Sequence, residues 1–490
     1  MNKIKILPGE PNDDNRDYLP QAIKGSRMVV NENGNNSQVY PERLSENTGV
    51  LTDDLIDTWY EYVPESYDPS EKAPLVLSMH GGLMSGWGQA IYTSWTLLAD
   101  REGFICAFLN ASQNAMWTIE CDMDSIEEIT QSKNGAPALN FPEGSVEDFH
   151  DVKATMALVE LMKEKYNIDE SRIYIQGMSM GNCMEDQVAR YHGDVFAASA
   201  GSGCPTNCKL LFKDDGSIIN KGGPLDVWHS RLQFDKTPYH YNMDDREVIL
   251  GNIDYWKKLN GCRDIPQIKI AGEKNFIFYK GDKANVTMMD VHNRDHGQTF
   301  DDAEMVWDYM FSGVNREGGQ IVHTPPLIEN KGDSFAIAIA EGCSKAWVKN
   351  KIVDIGAEVF TWNKLKYHGL NGDAIIRGQY LSAPIEFIAD TFGAQYSESD
   401  GGLSAEITLE DGRRMQFARG CIGCVAENRV ESMLCEAVMN GDKLCISLEW
   451  FCSFVYNMHV SEFDGVLYAT DHYSKVSRYT AWVLQDLLRE

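Results

Sequence analysis

The stretch Ser171-Arg-Ile-Tyr-Ile-Gln-Gly-Met-Ser-Met-Gly-Asn182 decides the fold of this chain. Residues 173–175 are β-branched or aromatic, which favours a short buried strand. Gly177-Met-Ser-Met-Gly181 follows at once, and residues 182–192 contain neither Pro nor Gly, as expected of a helix. A G-x-S-x-G pentapeptide between a strand and a helix is typical of a nucleophile elbow, which lifts the serine hydroxyl above a helix N-terminus. We therefore predict that Ser179 is a nucleophile, with a plain glycine-bearing turn as the alternative.

The composition indicates a globular protein of two or three domains. The chain has 490 residues, which is more than one ordinary core organises, and 43% of them are hydrophobic and 24% charged. Its net charge of -29, from 44 basic and 73 acidic residues, argues against binding to nucleic acid or to anionic membrane surfaces. We expect neither partner, and we attribute the acidity to solubility.

No apolar run approaches 18 residues, so no membrane-spanning segment is expected. The N-terminus has two lysines but no apolar core of a signal peptide, because Pro8 and the acidic stretch 10–17 follow.

The twelve cysteines are scattered, which favours reduced thiols over a disulfide framework. Cys421-Ile-Gly-Cys424 lacks the second pair that a structural zinc site needs, so we predict buried free thiols there, no metal and no cofactor. A cytoplasmic location is expected, with secretion by another route left open.

Upstream of the elbow, strand patterns alternate with helix patterns. Residues 57–63 predict an antiparallel entry strand, and residues 75–79 and 104–109 predict buried strands. A helix is predicted around residues 95–101, and Ser145-Val-Glu-Asp148 has the form of a capping box before another helix. Strands alternating with helices on short loops predict an α/β domain, with a mostly parallel sheet and helices on both faces.

His80-Gly-Gly82 follows one of these strands. Upstream of an elbow, a main-chain amide near Gly82 or Leu83 is expected to join the Met180 N–H in an oxyanion hole. A Gly-Gly turn with a structural histidine is the alternative. His80 is more typical of a packing or hydrogen-bonding residue than of a catalytic base. We assign it, together with Trp117, to the substrate-binding residues, although a lone Trp is more often simply packed.

The acid of a catalytic triad is predicted on the loop after the next strand pattern. With a nucleophile elbow, an acid and then a histidine follow the serine along the chain, each near a strand end. Residues 225–230 have the pattern of such a strand, and Asp235 lies on the loop that should face the site. We choose Asp235, although three other aspartates compete for the role, namely Asp226, Asp244 and Asp245.

The histidine of the triad is predicted between the last strand pattern, residues 286–291, and a closing helix at residues 301–311. His296 lies on this loop, and the glycine after it frees the loop to bend. His292 is the rival, but it lies nearer to the strand. We therefore predict His296 as the general base.

Together these residues resemble the esterase family of polyhydroxybutyrate depolymerases and feruloyl or acetyl-xylan esterases, within the α/β-hydrolases. The resemblance covers roughly residues 58–316 and implies ester hydrolysis, with Ser179 and His296 carried over onto matching positions. The matching pieces are Pro74–Gly81, Val146–Phe149, Asn167–Gly181, Tyr255–Cys262 and the loop of His296.

The chain departs from the family pattern at the acid. Such enzymes usually have His-Gly-x-x-Asp after the strand, whereas here His229-Ser230 is followed by Gln233 at the position of the aspartate. Asp235 lies two residues further on. The resemblance therefore leaves the acid of the triad open, whereas it leaves no such doubt about the nucleophile.

Residues 321–490 contain an internal repeat. Gly378–Phe387 lines up with Gly441–Trp450 at an offset of 63 and, with one residue inserted, Ser397–Leu403 lines up with Ser461–Leu467. Each copy predicts a short strand, a small helix and a hairpin that turns at Asp-Gly. The repeat resembles the copper-amine-oxidase N-terminal-like module, a small α+β unit, and this resemblance implies no copper.

The predicted domains are an irregular leader at residues 1–47, an α/β-hydrolase domain at 48–320 and an α+β repeat domain at 321–490. The predicted function is a serine esterase for hydroxyalkanoate, feruloyl or acetyl esters, on small molecules or on polysaccharide. A peptidase or lipase of the same fold is an alternative. A second alternative, motivated by the unusual acid loop, is a catalytically inactive protein that binds carbohydrate or cell wall through the C-terminal domain.

Overall fold

The computed structural model describes residues 4, 40–125, 140–368 and 373–489. The chain divides into two compact units, Met1–Arg263 with Phe278–Asn330, and Asp264–Ile277 with Lys331–Glu490. Most of the predicted leader lies outside the described residues. Within their bounds, no helix is both long enough and apolar enough to cross a bilayer.

Strands and helices alternate along the first part of the chain. The strands up to residue 323 are β1 (Leu44–Val50), β2 (Ile56–Tyr62), β3 (Ala73–Met79), β4 (Ile105–Leu109), β5 (Ile168–Met178), β6 (Ala198–Ser202), β7 (Asp226–Leu232), β8 (Gln267–Ala271), β9 (Lys274–Tyr279), β10 (Val286–Val291), β11 (Val314–Glu317) and β12 (Gln320–His323). The helices are α1 (Gly86–Tyr92), α2 (Trp95–Glu102), α3 (His150–Lys165), α4 (Met180–His192), α5 (Asp245–Asn260) and α6 (Asp302–Tyr309).

Eight strands of the first unit form a mostly parallel sheet in the order β1-β2-β4-β3-β5-β6-β7-β10. Strands β1 and β2 are antiparallel to their neighbours, and the strands from β4 to β10 in this order pair in parallel. Strands β3, β4, β6, β7 and β10 are buried along their whole length, as expected where helices cover a parallel sheet. The predicted α/β fold class is confirmed, including the antiparallel entry strand β2.

The predicted irregular leader, residues 1–47, is wrong at its end. Residues 44–47 are the first four residues of strand β1. Its sequence, Leu-Ser-Glu-Asn-Thr-Gly-Val, is mostly polar and mostly exposed, so it carries no strand pattern of its own. It is an edge strand, and all seven of its residues pair with β2. The pairing runs from Leu44 opposite Tyr62 to Val50 opposite Ile56. Pairing with β2, which local sequence does not encode, therefore makes this segment a strand.

The domain boundary also differs from the predicted division at residues 320 and 321. The hairpin β11–β12 stays with the first unit, where the Tyr174 hydroxyl donates to the Val314 carbonyl at 2.8 Å. Residues 264–277 belong to the second unit, where the Asp333 N–H donates to the Ile268 carbonyl and the Ile270 N–H to the Asp333 carboxylate. Hydrogen bonds between segments that are distant in sequence therefore assign the hairpin β11–β12 and residues 264–277 to their units.

The second unit contains three antiparallel sheets. Their strands are β13 (Ala336–Ala340), β14 (Lys345–Val348), β15 (Lys351–Asp354), β16 (Phe360–His368), β17 (Asp373–Pro384), β18 (Gln395–Ser399), β19 (Ser404–Thr408), β20 (Arg414–Ala418), β21 (Gly423–Ala426), β22 (Arg429–Ser432), β23 (Val438–Asn440), β24 (Lys443–Ser447), β25 (His459–Phe463) and β26 (Val466–Thr470). Its helices are α7 (Ile385–Thr391), α8 (Leu448–Tyr456) and α9 (Arg478–Arg489). The sheet orders are β15-β14-β13-β26-β25, β16-β17-β24-β23 and β18-β19-β20-β21-β22.

The predicted repeat is present in this unit as two copies of strand, helix and hairpin. The first copy is β17, α7 and the β18–β19 hairpin, and the second is β24, α8 and the β25–β26 hairpin. In the second hairpin Asp464 and Gly465 have φ of 47° and 72°, and Asp400 and Gly401 in the first have 54° and 66°. These positive φ angles explain why both hairpins turn at Asp-Gly.

All twelve cysteines have free thiols. The prediction that the CxxC thiols are buried is right for Cys424 and wrong for Cys421, which is exposed. Cys421 precedes the start of β21, outside the alternation that turns Cys424 into the core. Across the described ranges, no three or more side chains among His, Cys, Asp and Glu are grouped to hold a metal ion.

Candidate active site

The turn between β5 and α4 holds Ser179 in a backbone conformation that side chains rarely adopt, with φ of 56° and ψ of −122°. Both glycines of the pentapeptide are required by close contacts. A Cβ on Gly177 would lie 1.9 Å from the carbonyl oxygen of Gly181, and one on Gly181 would lie 2.3 Å from that of Met79. The strand, tight turn and helix that the pentapeptide predicts are therefore present.

Ser179, His296 and Asp235 form a continuous hydrogen-bonded line. The Ser179 Oγ lies 2.8 Å from His296 Nε2, and His296 Nδ1 lies 2.6 Å from Asp235 Oδ1. Since a carboxylate accepts, Nδ1–H is the donor to Asp235, which leaves Nε2 as the acceptor for the serine hydroxyl. The Asp235 side chain is 3% exposed and that of His296 is 49% exposed, so the imidazole is open to solvent while its acid partner is not.

The electrostatics of this line favour the protonated imidazole. The hydrogen bond to Asp235, together with the charge of the same carboxylate, raises the pKa of His296, and burial opposes this only in part. Asp235 Oδ1 also accepts the Lys236 N–H at 3.0 Å. An imidazole of raised pKa that faces a hydroxyl is suited to take a proton during attack and to return it afterwards.

Hydrogen bonds between two loops explain how an aspartate two residues beyond the expected position reaches His296. The Gln233 N–H donates to the Val291 carbonyl at 3.0 Å, and the Phe234 N–H donates to the Arg294 carbonyl at 2.9 Å. The Gln233 side-chain oxygen, at the position where the family pattern has its acid, accepts the Asn293 N–H at 2.5 Å. Gln233 therefore ties the acid loop to the histidine loop.

The competing aspartates serve other parts of the structure. Asp226 accepts hydrogen bonds from the Asn285 N–H and from His323. Asp244 caps α5 by accepting the Arg246 N–H, and Asp245 accepts the Thr237 N–H. The structure brings only Asp235, of the four candidates, to His296.

Of the three amides predicted for the oxyanion hole, that of Leu83 has a partner within the fold. The Leu83 N–H donates to the Ala115 carbonyl at 2.8 Å, so it is engaged and does not face the site. Among the described residues, no acceptor takes the N–H of Gly82 or of Met180, and a Cβ on Gly82 would lie 3.5 Å from Met180 Sδ. Gly82 thus lies beside Met180, and the two amides are the candidate donors.

His80 and Trp117 are not substrate contacts, because both side chains are fully buried. His80 Nε2 accepts the Ala111 N–H at 3.0 Å, its Nδ1 donates to the Gly81 carbonyl at 2.7 Å, and burial lowers the pKa of the ring to about 4. The Trp117 indole N–H donates to the His80 carbonyl at 2.7 Å. His80 and Trp117 therefore stabilise the turn at Gly81 and Gly82 through these hydrogen bonds.

Two residues that sequence reasoning missed hold the elbow and the histidine in place. The Ser179 N–H donates to the Ser202 carbonyl at 2.7 Å, and the Ser202 hydroxyl donates to the Gly297 carbonyl at 2.8 Å. Gly203 has φ of 93°, and a Cβ there would lie 3.2 Å from His296 Cε1. The glycine-rich run at the end of β6 was the available signal.

Together, the sheet order and the elbow give the first unit the α/β-hydrolase fold. The chain is similar to feruloyl esterases. It is 26% identical over 259 residues to feruloyl esterase B of Piromyces equi, which is 50% of this chain and 43% of that protein. It is also 26% identical over 144 residues to feruloyl esterase B of Thermothelomyces thermophilus (29% and 42%). The chain therefore spans less than half the length of these two curated relatives.

Two further proteins are similar to parts of the chain. The chain is 28% identical over 121 residues to the bifunctional acetylxylan esterase/xylanase XynS20E of Neocallimastix patriciarum, which is 24% of this chain and 14% of that protein. The acetyl xylan esterase from Aspergillus awamori aligns at a TM-score of 0.39 and 15% identity, over 54% of this chain and 98% of that one. No family model matches the chain, so the resemblance of the repeat to the copper-amine-oxidase module stays a prediction.

Proposed function

We propose that this protein is a serine esterase that hydrolyses carboxylic esters with Ser179 as nucleophile, His296 as general base and Asp235 as the acid. The observation that carries the proposal is the line of two hydrogen bonds, 2.6 Å and 2.8 Å, that ends at a serine on a nucleophile elbow. This geometry is recognised by roles and distances rather than by sequence position.

In the proposed reaction the Ser179 oxygen attacks the ester carbonyl while His296 takes the hydroxyl proton. The N–H groups of Gly82 and Met180 stabilise the negative charge on the tetrahedral intermediate, where one donor is typically worth about 10²–10³ in kcat. The intermediate collapses as His296 returns the proton to the leaving alcohol. Water then hydrolyses the acyl-enzyme by the same sequence of proton transfers.

The proposed substrates are feruloyl or acetyl esters carried on a polysaccharide. The support comes from the relatives, whose names describe feruloyl esterases and an acetylxylan esterase/xylanase. A hydroxyalkanoate ester is the next candidate, from the resemblance to polyhydroxybutyrate depolymerases. The acid loop that motivated an inactive binding protein brings Asp235 to His296, so this loop no longer favours that alternative.

Turnover by the Ser179→Ala variant tests the proposal. We expect the wild type to hydrolyse p-nitrophenyl acetate and to react with a fluorophosphonate probe at Ser179, and the variant to lose both by at least about 10³-fold. Ser217→Ala, a change at an exposed turn, is the matched control and should keep both activities. Undiminished turnover in Ser179→Ala would reject the proposal, and rates on methyl ferulate, acetylated xylan and hydroxybutyryl esters would rank the acyl groups.

A further inference from the structure

Two buried thiols lie against each other one helical turn from the nucleophile. The sulfur atoms of Cys183 and Cys204 are 3.0 Å apart, and the residues are 7% and 9% exposed. Cys183 lies in the first turn of α4, where its N–H donates to the Ser179 carbonyl at 3.4 Å. Cys204 follows Gly203, where an added Cβ would lie 3.2 Å from His296 Cε1. The proposed reaction uses neither thiol.

We infer that Cys183 and Cys204 are an oxidisable dithiol site, which a peroxide closes to a disulfide that braces the nucleophile elbow. A disulfide has an S–S length of about 2.05 Å, so the sulfurs need to approach by about 1 Å. The two segments are already linked beside the thiols, because the Asn182 side-chain amide donates to the Cys204 carbonyl at 2.6 Å. Side-chain rotation is therefore expected to supply most of the approach.

The chemistry uses hydrogen peroxide as the two-electron oxidant. The Cys183 thiolate attacks one peroxide oxygen, the O–O bond breaks, and a sulfenic acid and water result once the released hydroxide takes a proton. The Cys204 sulfur then attacks the Cys183 sulfur, the S–O bond breaks, and the second oxygen leaves as water. In total, two thiols and one hydrogen peroxide give one disulfide and two waters.

The surroundings of the pair favour Cys183 as the first nucleophile. Contact with Cys204 lowers the pKa of the Cys183 thiol against the opposing effect of burial, whereas the same contact and burial raise the pKa of Cys204. The Tyr241 hydroxyl lies 3.6 Å from each sulfur. Cys183 lines a small open cleft together with Gln187 and Tyr241 among others, whereas Cys204 is not one of the residues that line it.

Cys121 is the rival partner, because it is close enough to Cys183 for that thiol to contribute to its pKa. Burial first, and then the charge of Cys183, raise the pKa of Cys121 to about 12. Its sulfur donates to the Ile119 carbonyl at 3.3 Å. Among the twelve cysteines, all within the described ranges, only Cys183 and Cys204 have their sulfurs within hydrogen-bonding distance of each other.

The bond would join α4, which Ser179 caps, to the segment after β6, which lies beside His296 at Gly203. Closing a loop of about twenty residues restricts the unfolded chain, and we expect Tm to rise by about 5 °C. This rise depends on the cross-link alone, so it does not require that the protein be an esterase.

The experiment treats the purified full-length protein with hydrogen peroxide, alkylates the remaining thiols in denaturant and maps peptides without reduction. We expect a peptide linking Cys183 to Cys204, two fewer alkylated thiols, the rise in Tm, and reversal of all three by dithiothreitol. The matched control Cys121→Ala should keep the link, and Cys183→Ala should lose it.

Peptide mapping of the wild type decides the matter even if a cysteine variant folds poorly. The inference is overturned if Cys183 and Cys204 are both still alkylated after peroxide, if each is oxidised separately to a sulfinic acid, or if Cys183 is linked to Cys121. A linked protein with an unchanged Tm would overturn the bracing role.

Discussion

At the scale of single residues, the Asp235 carboxylate is the group that sets the protonation of His296. Its hydrogen bond and charge raise the pKa of the imidazole. The neutral imidazole is the form that accepts the Ser179 proton, so kcat/KM should rise as pH increases through this raised pKa. The midpoint of that rise is therefore expected above the ordinary histidine value of about 6.5.

Asp235→Asn should lower the midpoint and the plateau together. Loss of the negative charge removes the cause of the raised pKa, so the midpoint moves to lower pH. The NH₂ group of asparagine can donate to Nδ1, which favours the unproductive tautomer, and we expect kcat to fall by about 10³–10⁴. The pH profile of p-nitrophenyl acetate hydrolysis measures both, and Asp244→Asn, which keeps a good helix cap, should change neither. An unshifted midpoint in Asp235→Asn would show that another group titrates.

Gly203 is the second residue whose identity the site requires. Gly203→Ala should cost about 1–2 kcal/mol in the free energy of unfolding, because of its positive φ, and should also displace the His296 ring. We expect kcat to fall about 10–100-fold, as is typical of a displaced catalytic group. Gly216→Ala is the matched control, because Gly216 also has a positive φ, of 77°, but no atom lies within 4 Å of the added Cβ.

Urea unfolding and ester turnover separate the two effects. Both alanine variants should lose similar stability, whereas only Gly203→Ala should lose turnover. Equal turnover in the two variants would mean that Gly203 is needed for its backbone alone.

At the scale of elements, the turn after β3 is held by buried groups. Trp117→Phe keeps an aromatic ring but removes the indole N–H that the His80 carbonyl accepts. An unpaired buried carbonyl costs about 1–3 kcal/mol, which we expect as a loss in the free energy of unfolding measured with urea. The control is Trp87→Phe, since Trp87 is 37% exposed, and its loss should be smaller. Equal losses of stability in the two variants would show that the Trp117 hydrogen bond does not stabilise the turn.

Element boundaries show where local sequence is sufficient and where it is not. Strand β10 has the predicted bounds of Val286–Val291, and all six of its residues are buried. The capping box at Ser145 and Asp148 is present, but it starts a short 3₁₀ turn at Val146–Asp148, and α3 begins at His150. The hydrophobic pattern of a strand therefore predicts its bounds. The first residue of a helix also depends on the backbone conformation of the residues before it.

At the scale of the whole molecule, the second unit has a hydrophobic core of its own. Phe451 is fully buried in this core, and Phe454, three residues later on α8, is 47% exposed. We expect Phe451→Ala to lower the free energy of unfolding by about 3–5 kcal/mol and Phe454→Ala by clearly less. Urea unfolding monitored by circular dichroism measures both, and equal losses would contradict the burial pattern of α8.

The sequence by itself determined the elbow, the order of strands and helices around it, the histidine loop and the repeat. These features depend on residues that are close together in the chain, such as the two glycines around Ser179 or the Asp-Gly turns of the hairpins. Spacing and side-chain type are enough to encode them.

Only the tertiary structure decided that Asp235 contacts His296, that the Leu83 amide donates to the Ala115 carbonyl, and that His80 is buried. The same holds for the pairing of β1 and for the contact between Cys183 and Cys204. Each of these depends on hydrogen bonds or contacts between segments that are far apart in the chain, and no local pattern records which distant partner a backbone amide, a carboxylate or a thiol will meet.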